Sequence, residues 1–196
     1  MLPETSAVTA ARSVAERYFS PAMLNHSVRS YVWGAMYGEA HGIGYDEELF
    51  CVAALLHDIA LAPPFDSYAV PFEEAGGEVA RVFGRGAGWP ADRTDRVAEI
   101  VVRHMREDVP AGTDPESHLL QVATSWDVAG RWQDEFPPDA RAATLRRLPR
   151  LRFGEEFLAH FEEQAARKPH SAAAASVGRN LAARIAAHPL DHGRGA

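Results

Sequence analysis

The sequence has little that would place this protein outside a reducing cell interior. A single cysteine, Cys51, has no partner for an internal disulfide. The apolar run that includes Cys51–Leu56 falls far short of the roughly 18 residues that a membrane-spanning helix needs. The first residues also lack the basic and then apolar pattern of an export signal. These absences predict a soluble, cytoplasmic protein with no membrane partner.

An excess of basic residues is also missing. The 196 residues contain 20 Lys and Arg against 27 Asp and Glu, which gives a net charge of -7. Binding to nucleic acid needs a basic footprint, so a nucleic-acid partner is not expected. With 46% hydrophobic and 24% charged residues the composition is that of a globular protein. The length suits one domain with a substantial core.

Helical periodicity dominates the chain, and no stretch shows the sustained two-residue alternation of a half-buried strand. We therefore expect an all-α fold. Prolines between residues 61 and 71 predict a loop in that segment. Helices are predicted at about residues 6–19, 25–41, 46–57, 72–86, 91–106, 115–129, from 137 onward, 153–166 and 169–188, followed by a frayed tail at 189–196.

Two histidines and two aspartates stand among apolar or small neighbours. His57 and Asp58 follow the most apolar run of the chain, His26 shares a helix face with aromatic residues, and Asp127 lies in a helix of small and apolar residues. Burial of an unpaired carboxylate is costly, so a cation or another partner is implied. One divalent metal would satisfy all four side chains, and Zn²⁺, Fe²⁺, Mn²⁺, Co²⁺ or Ni²⁺ suits such nitrogen and oxygen donors. The alternative is a buried His–Asp hydrogen-bond network without metal.

The order of these residues resembles that of the HD-domain superfamily of metal-dependent hydrolases, and the flanking residues resemble its cyanamide hydratase-like branch. The likeness is carried by Asn-His-Ser-x-Arg at 25–29, Ala-Leu-Leu-His-Asp-Ile at 54–59, Phe-Glu followed by Gly and Ala-Arg at 72–81, and Leu-x-x-Ala-Thr-x-x-Asp-x-x-Gly at 120–130. It implies a single HD domain over residues 1–196, a helical bundle with its core at about 20–135 and C-terminal helices at 137–188.

The resemblance also implies a function. His26, His57, Asp58 and Asp127 would hold one divalent ion, usually zinc, that activates water for addition to a small polar substrate. Cyanamide or a nitrile-like compound is the expected substrate, and cyanamide would give urea. An HD-type phosphohydrolase acting on a nucleotide or another phosphate ester is the alternative. In this chain Ile-Ala-Leu follows His57-Asp58, where many relatives have Ile-Gly and a hydroxyl residue.

Six further residues are candidates for the site. Thr124, His104 and Arg29 are expected to take part in catalysis. Asp108, four residues after His104, would fix the tautomer of His104 if their helix extends that far, and the alternative is a surface ion pair. Substrate binding is expected from three residues near the motifs: Trp33, Asn25 and Glu73.

Two other hypotheses remain open. A di-iron oxygenase would need two more histidines, and His118 is half a turn out of phase with Asp127 if their helix is continuous. A binding protein could use the arginines between Arg141 and Arg152, although such clusters are commonly solvated helix faces. The alanine-rich helix at 172–187 could pack against a second subunit, which would make the protein a homo-oligomer.

Overall fold

The computed structural model describes residues 2–192, without the side chain of His192, and this part of the chain is helical with no strand. The all-α prediction is confirmed. The helices are α1 (Ser6–Tyr18), α2 (Pro21–His41), α3 (Glu47–Leu56), α4 (Phe72–Gly86), α5 (Ala91–Arg103), α6 (Pro115–Ala129), α7 (Pro138–Arg147), α8 (Phe153–Arg167), α9 (Ala172–Gly178), α10 (Leu181–Ala186) and α11 (Pro189–His192).

The central helix α3 delivers the paired His57 and Asp58 to the interior. It packs against α1, α2 and α5, and its residues 49–56 are buried. Asp46 caps its first turn by accepting a hydrogen bond from the backbone N–H of Leu49. The helix gives way after Leu56 to a 3-10 turn at Ile59–Leu61, so both functional side chains lie at the buried end of an apolar helix.

The helix that carries His26 begins earlier than the sequence predicts. Ser20 accepts a hydrogen bond from the backbone N–H of Met23, and Pro21 occupies the first helical position. The same proline that ends α1 therefore also opens α2. His26 consequently lies well inside the helix instead of at its start.

The C-terminal region also differs from the prediction. The alanine-rich stretch is not one helix from 169 to 188, because Asn180 adopts a left-handed backbone conformation with φ of 62° and separates α9 from α10. The predicted frayed tail contains the short helix α11, and residues 193–196 lie outside the described part of the chain. Helix α8 packs against α2, α9 and α10, which brings these late elements to the side of α2 that carries His26.

Asp114 supports the start of α6 in two ways. Its carboxylate caps the backbone N–H of Ser117 and pairs with Arg96 and Arg103. Burial opposes its ionisation, but the two guanidinium groups prevail and lower its pKa to about 2. The resulting stabilisation is present above the pKa of the unfolded carboxyl, near 4, and is lost as pH falls through about 2.

We therefore predict that Asp114→Asn, which retains a capping side chain, lowers the free energy of unfolding by about 1–2 kcal/mol at pH 7. The difference from the unsubstituted protein should shrink toward zero near pH 2. Thermal unfolding followed by circular dichroism over this pH range measures it. The exposed Asp134→Asn is the control, and an equal loss of stability in both variants would contradict the role of the ion pairs.

No helix in residues 2–192 combines the length and the apolarity that crossing a bilayer would require.

Candidate metal centre

Three side chains from α2 and the end of α3 converge on one buried point. His26 Nε2 lies 3.1 Å from His57 Nε2 and 3.4 Å from Asp58 Oδ2. His57 Nε2 lies 3.1 Å from the same carboxylate oxygen. All three side chains are at most 1% exposed. Two imidazole nitrogens and one carboxylate oxygen thus lie within 3.4 Å of one another.

Hydrogen bonds on the far side of each ring fix which nitrogen carries the proton. His57 Nδ1 lies 2.8 Å from the carbonyl oxygen of Ala54, which can only accept, so this nitrogen is the donor. His26 Nδ1 donates in the same way to Asp127 Oδ2, at 2.7 Å. In the neutral rings both Nε2 atoms therefore present lone pairs to the centre.

With both rings neutral, the centre therefore contains three hydrogen-bond acceptors and no hydrogen-bond donor. Asp58 Oδ2 is buried, and within residues 2–191 no hydrogen-bond partner satisfies it. A cation would stabilise an anionic oxygen that lacks a hydrogen-bond partner and lies between two nitrogen lone pairs. Two imidazole nitrogens and a carboxylate oxygen are ligands that suit a divalent metal. His26, His57 and Asp58 have the mutual spacing of metal ligands.

The pKa shifts of Asp58 and His57 show that the cluster favours positive charge. Burial alone would raise the pKa of Asp58, but the adjacent His57 and His26 hold it well below its usual value. Burial likewise disfavours the imidazolium form of His57, and the Asp58 carboxylate outweighs this and raises the pKa of His57. A proton and a metal ion therefore compete for the same lone pairs.

Asp127 lies on the opposite edge of the His26 ring from the cluster. Its two oxygens receive both arms of the Arg29 guanidinium, from Nε at 2.8 Å and Nη2 at 2.7 Å. Its Oδ1 also accepts the indole N–H of Trp33 at 2.8 Å. Burial raises and Arg29 lowers the pKa of Asp127, with the net result well below the usual range. By accepting from His26 Nδ1, the Asp127 carboxylate fixes the orientation and the tautomer of the His26 ring.

The other residues predicted to bind substrate or assist catalysis occupy supporting positions. Arg29 is fully buried, and its remaining Nη1 donates to the carbonyl oxygens of Leu148 and Pro149. Trp33 is fully buried behind Asp127. Asn25 donates to the carbonyl oxygen of Pro149.

Glu73 is also predicted to bind substrate, and the structure buries it near the start of α4. The residue is 7% exposed, and burial raises its pKa. Its Oε2 has no hydrogen-bond partner among the described residues.

A cavity of about 560 Å³ opens onto the three converging side chains. His104 and Thr124, two of the candidate catalytic residues, line it. Helix α5 ends at Arg103, so the predicted pairing of His104 with Asp108 is wrong. His104 Nδ1 instead bonds the carbonyl oxygen of Val101, which leaves Nε2 as an acceptor, 3.8 Å from Asp58 Oδ1.

Aromatic residues of α8 form one wall of the cavity, and none of them is among the candidates drawn from the sequence. Phe153 stacks on His26 at a ring separation of 4.3 Å, and Phe157 and Phe161 line the cavity. These three residues recur at intervals of four, which is the spacing of one helix face. That periodicity is visible in the sequence, but its meeting with His26 depends on a contact between distant helices.

His118 lies away from the cluster. Its Nδ1 is 2.7 Å from the carbonyl oxygen of Val109, and its ring packs near Tyr37. This position agrees with the helical phase from which the sequence analysis disfavours a second metal.

Together, the helical bundle, the buried His-His-Asp cluster and the adjoining cavity define a metal-dependent hydrolytic class of protein. The chain belongs to the HD domain family, whose model matches residues 23–143. It is similar to two proteins of Saccharomyces cerevisiae, cyanamide hydratase DDI2 and cyanamide hydratase DDI3. Each is 27% identical to it over 172 residues, which cover 85% of this chain and 76% of the yeast protein. The chain is thus an HD-domain enzyme of the hydratase or hydrolase type.

Proposed function

We propose that this enzyme adds water across the carbon–nitrogen triple bond of a small cyanamide-like or nitrile-like substrate. With cyanamide, one water oxygen bonds to the nitrile carbon, both water hydrogens end on nitrogen after tautomerisation, and the product is urea. The observation that carries this proposal is the His-His-Asp centre, which lacks a hydrogen-bond donor and adjoins a cavity. Similarity to the two cyanamide hydratases supports the choice of substrate.

His26, His57 and Asp58 would hold the metal ion, for which we propose zinc. A zinc ion with three protein ligands keeps a position for water or substrate. When bound, the ion supplies Lewis acidity, which makes water a better nucleophile near neutral pH.

For two residues that line the cavity, His104 and Thr124, we propose roles in proton transfer and substrate orientation. Burial and the neighbouring His57 lower the pKa of His104 to about 4, so the ring is neutral at neutral pH. We propose that its Nε2 relays a proton from the attacking water to the substrate nitrogen. Thr124 already donates its hydroxyl hydrogen to the carbonyl oxygen of Leu120, at 2.9 Å. Its free lone pairs can therefore accept an N–H of the substrate.

Three buried residues support the ligand His26 from the side of its ring away from the metal position: Asp127, Arg29 and Trp33. By accepting from His26 Nδ1, the Asp127 carboxylate fixes the tautomer whose Nε2 can bind metal. Arg29 and Trp33 hold that carboxylate in place through three hydrogen bonds. We propose that these three residues position the ligand His26 without touching the substrate.

The direct test of the proposal is urea formation from cyanamide by the protein before and after treatment with a chelator. We expect activity that is lost on metal removal and restored by Zn²⁺. Absence of urea formation by the metal-loaded protein would contradict the proposed substrate.

His104→Gln provides a sharper test of the proton-transfer role. We expect kcat to fall about 10²–10⁴-fold, since glutamine can hydrogen-bond but cannot carry the proton. The metal content should stay unchanged, which elemental analysis would verify. Near-normal kcat in this variant would remove His104 from the mechanism.

A phosphohydrolase remains the second candidate because arginine side chains line the same cavity. Arg29, a candidate catalytic residue from the sequence, has its guanidinium occupied by Asp127 and two carbonyl oxygens. Release of inorganic phosphate from a panel of nucleoside monophosphates, with no urea formation from cyanamide, would favour this alternative.

A further inference from the structure

The cavity that reaches the metal centre also has a cationic side. Arg131 follows α6, Arg179 follows α9, and Arg184 lies on α10, and all three line the cavity. Arg179 and Arg184 are five residues apart, and Arg131 is distant from both in sequence, so the fold brings its charge to theirs.

These arginines are only partly neutralised. Glu107, which also lines the cavity, pairs with Arg179. Asp108 is a further acidic lining residue and is exposed. Within residues 2–191, no carboxylate forms an ion pair with Arg131 or Arg184, and the buried Nε of Arg184 has no hydrogen-bond partner. A buried guanidinium N–H without an acceptor is costly and is satisfied when an anion binds.

Mutual repulsion supports the same conclusion. Burial, and then the charges of Arg131 and Arg179, lower the pKa of Arg184. The side chain stays protonated in proteins, so its positive charge persists among like charges. An anion placed among them would relieve this repulsion and supply the missing acceptor.

The size of the cavity agrees with a substrate larger than cyanamide. Its volume of about 560 Å³ is in the range of pockets for drug-sized ligands, whereas cyanamide has only three heavy atoms. A small neutral substrate would contact the metal centre and leave the arginines unused.

We infer that Arg131, Arg179 and Arg184 form an anion subsite and that the substrate carries a carboxylate or phosphate group held there. This inference rests on the proposed function for the reacting end, which lies at the His-His-Asp cluster. The three arginines would then determine specificity, because guanidinium groups bind planar and tetrahedral oxyanions through paired, charge-assisted hydrogen bonds.

The test is isothermal titration calorimetry of the metal-loaded full chain with inorganic phosphate and, separately, with acetate. Arg184→Gln and the exposed Arg131→Gln are compared with Arg85→Gln, which removes the same charge from an exposed site on α4. We expect at least one anion to bind, with about tenfold or greater weakening in the first two variants and less than about twofold change in the control. Binding of phosphate alone would assign a phosphate-bearing substrate, and binding of acetate alone would assign a carboxylate.

Equal affinities in all four proteins would mean that the anion binds the metal alone and would overturn the inference. So would the absence of binding by either anion. Since calorimetry needs no turnover, a failure of the proposed function would appear separately, as missing urea formation while anion binding still depends on Arg131 and Arg184.

Discussion

Replacing His57 by alanine is expected to remove the bound metal and lower kcat/KM at least about a thousandfold. The substitution takes away one of three donors that meet within 3.4 Å of each other. Lewis-acid activation contributes several kcal/mol to such reactions, and each 1.36 kcal/mol corresponds to about a factor of ten in rate. Steady-state kinetics and metal analysis of the same preparation measure both effects.

His118→Ala is the matched control for this variant. His118 is half-buried and bonds the carbonyl oxygen of Val109, away from the cluster. We expect its metal content and kcat/KM to stay within about twofold of the original protein. Full metal occupancy in the His57 variant would contradict the assignment of His57 as a ligand, and a halved metal content in the His118 variant would indicate a second metal site.

Asp127→Asn is expected to have the second largest effect. The amide leaves the buried Arg29 charge without its anion, and breaking such a pair costs about 3–5 kcal/mol of stability. It also weakens the orientation of His26, which for residues behind a metal ligand lowers metal affinity about 10–100-fold. Denaturant unfolding and competitive metal titration give the two quantities.

The outcome distinguishes an orienting carboxylate from the fourth ligand suggested by the family resemblance. Loss of all measurable metal binding in an Asp127→Asn protein that remains folded would show that Asp127 ligates directly. Asp191→Asn serves as the control, because Asp191 pairs with Arg150 at the edge of the same region and is partly exposed. We expect its metal affinity to be nearly unchanged.

Much of the helical framework is predictable from local signals. Asp114 and Pro115 mark the start of α6 because a capping carboxylate and a first-turn proline act within a few residues. The apolar run before His57 likewise indicates a buried helix end, and burial of polar side chains there implies a compensating cation. These inferences succeed because their causes lie in neighbouring residues.

The partner of each buried polar group is not predictable in the same way. Helical phase places Arg29 on the face of His26 but does not specify which carboxylate it meets. Contacts between α2 and α6 bring Asp127 to Arg29 and Trp33, whose N–H groups donate to both carboxylate oxygens. Packing between distant helices determines which carboxylate Arg29 meets, and no local pattern in a single sequence encodes that packing.

The cationic side of the cavity illustrates the same limit. Alanine content predicts one continuous C-terminal helix, but the left-handed Asn180 breaks it between Arg179 and Arg184. The break places the two arginines on successive elements that both line the cavity. The arginine-rich segment that is evident in the sequence, from Arg141 to Arg152, contributes no lining residue to this cavity.

Elemental analysis of the full chain, purified without a histidine tag or added metal, tests the central claim most directly. We predict about one divalent ion per chain, held by His26, His57 and Asp58 and absent from His57→Ala. A metal-free protein whose melting temperature does not rise on addition of Zn²⁺, Fe²⁺, Mn²⁺, Co²⁺ or Ni²⁺ would contradict the claim. The cluster would then be a buried hydrogen-bond network in which a proton takes the place of the metal.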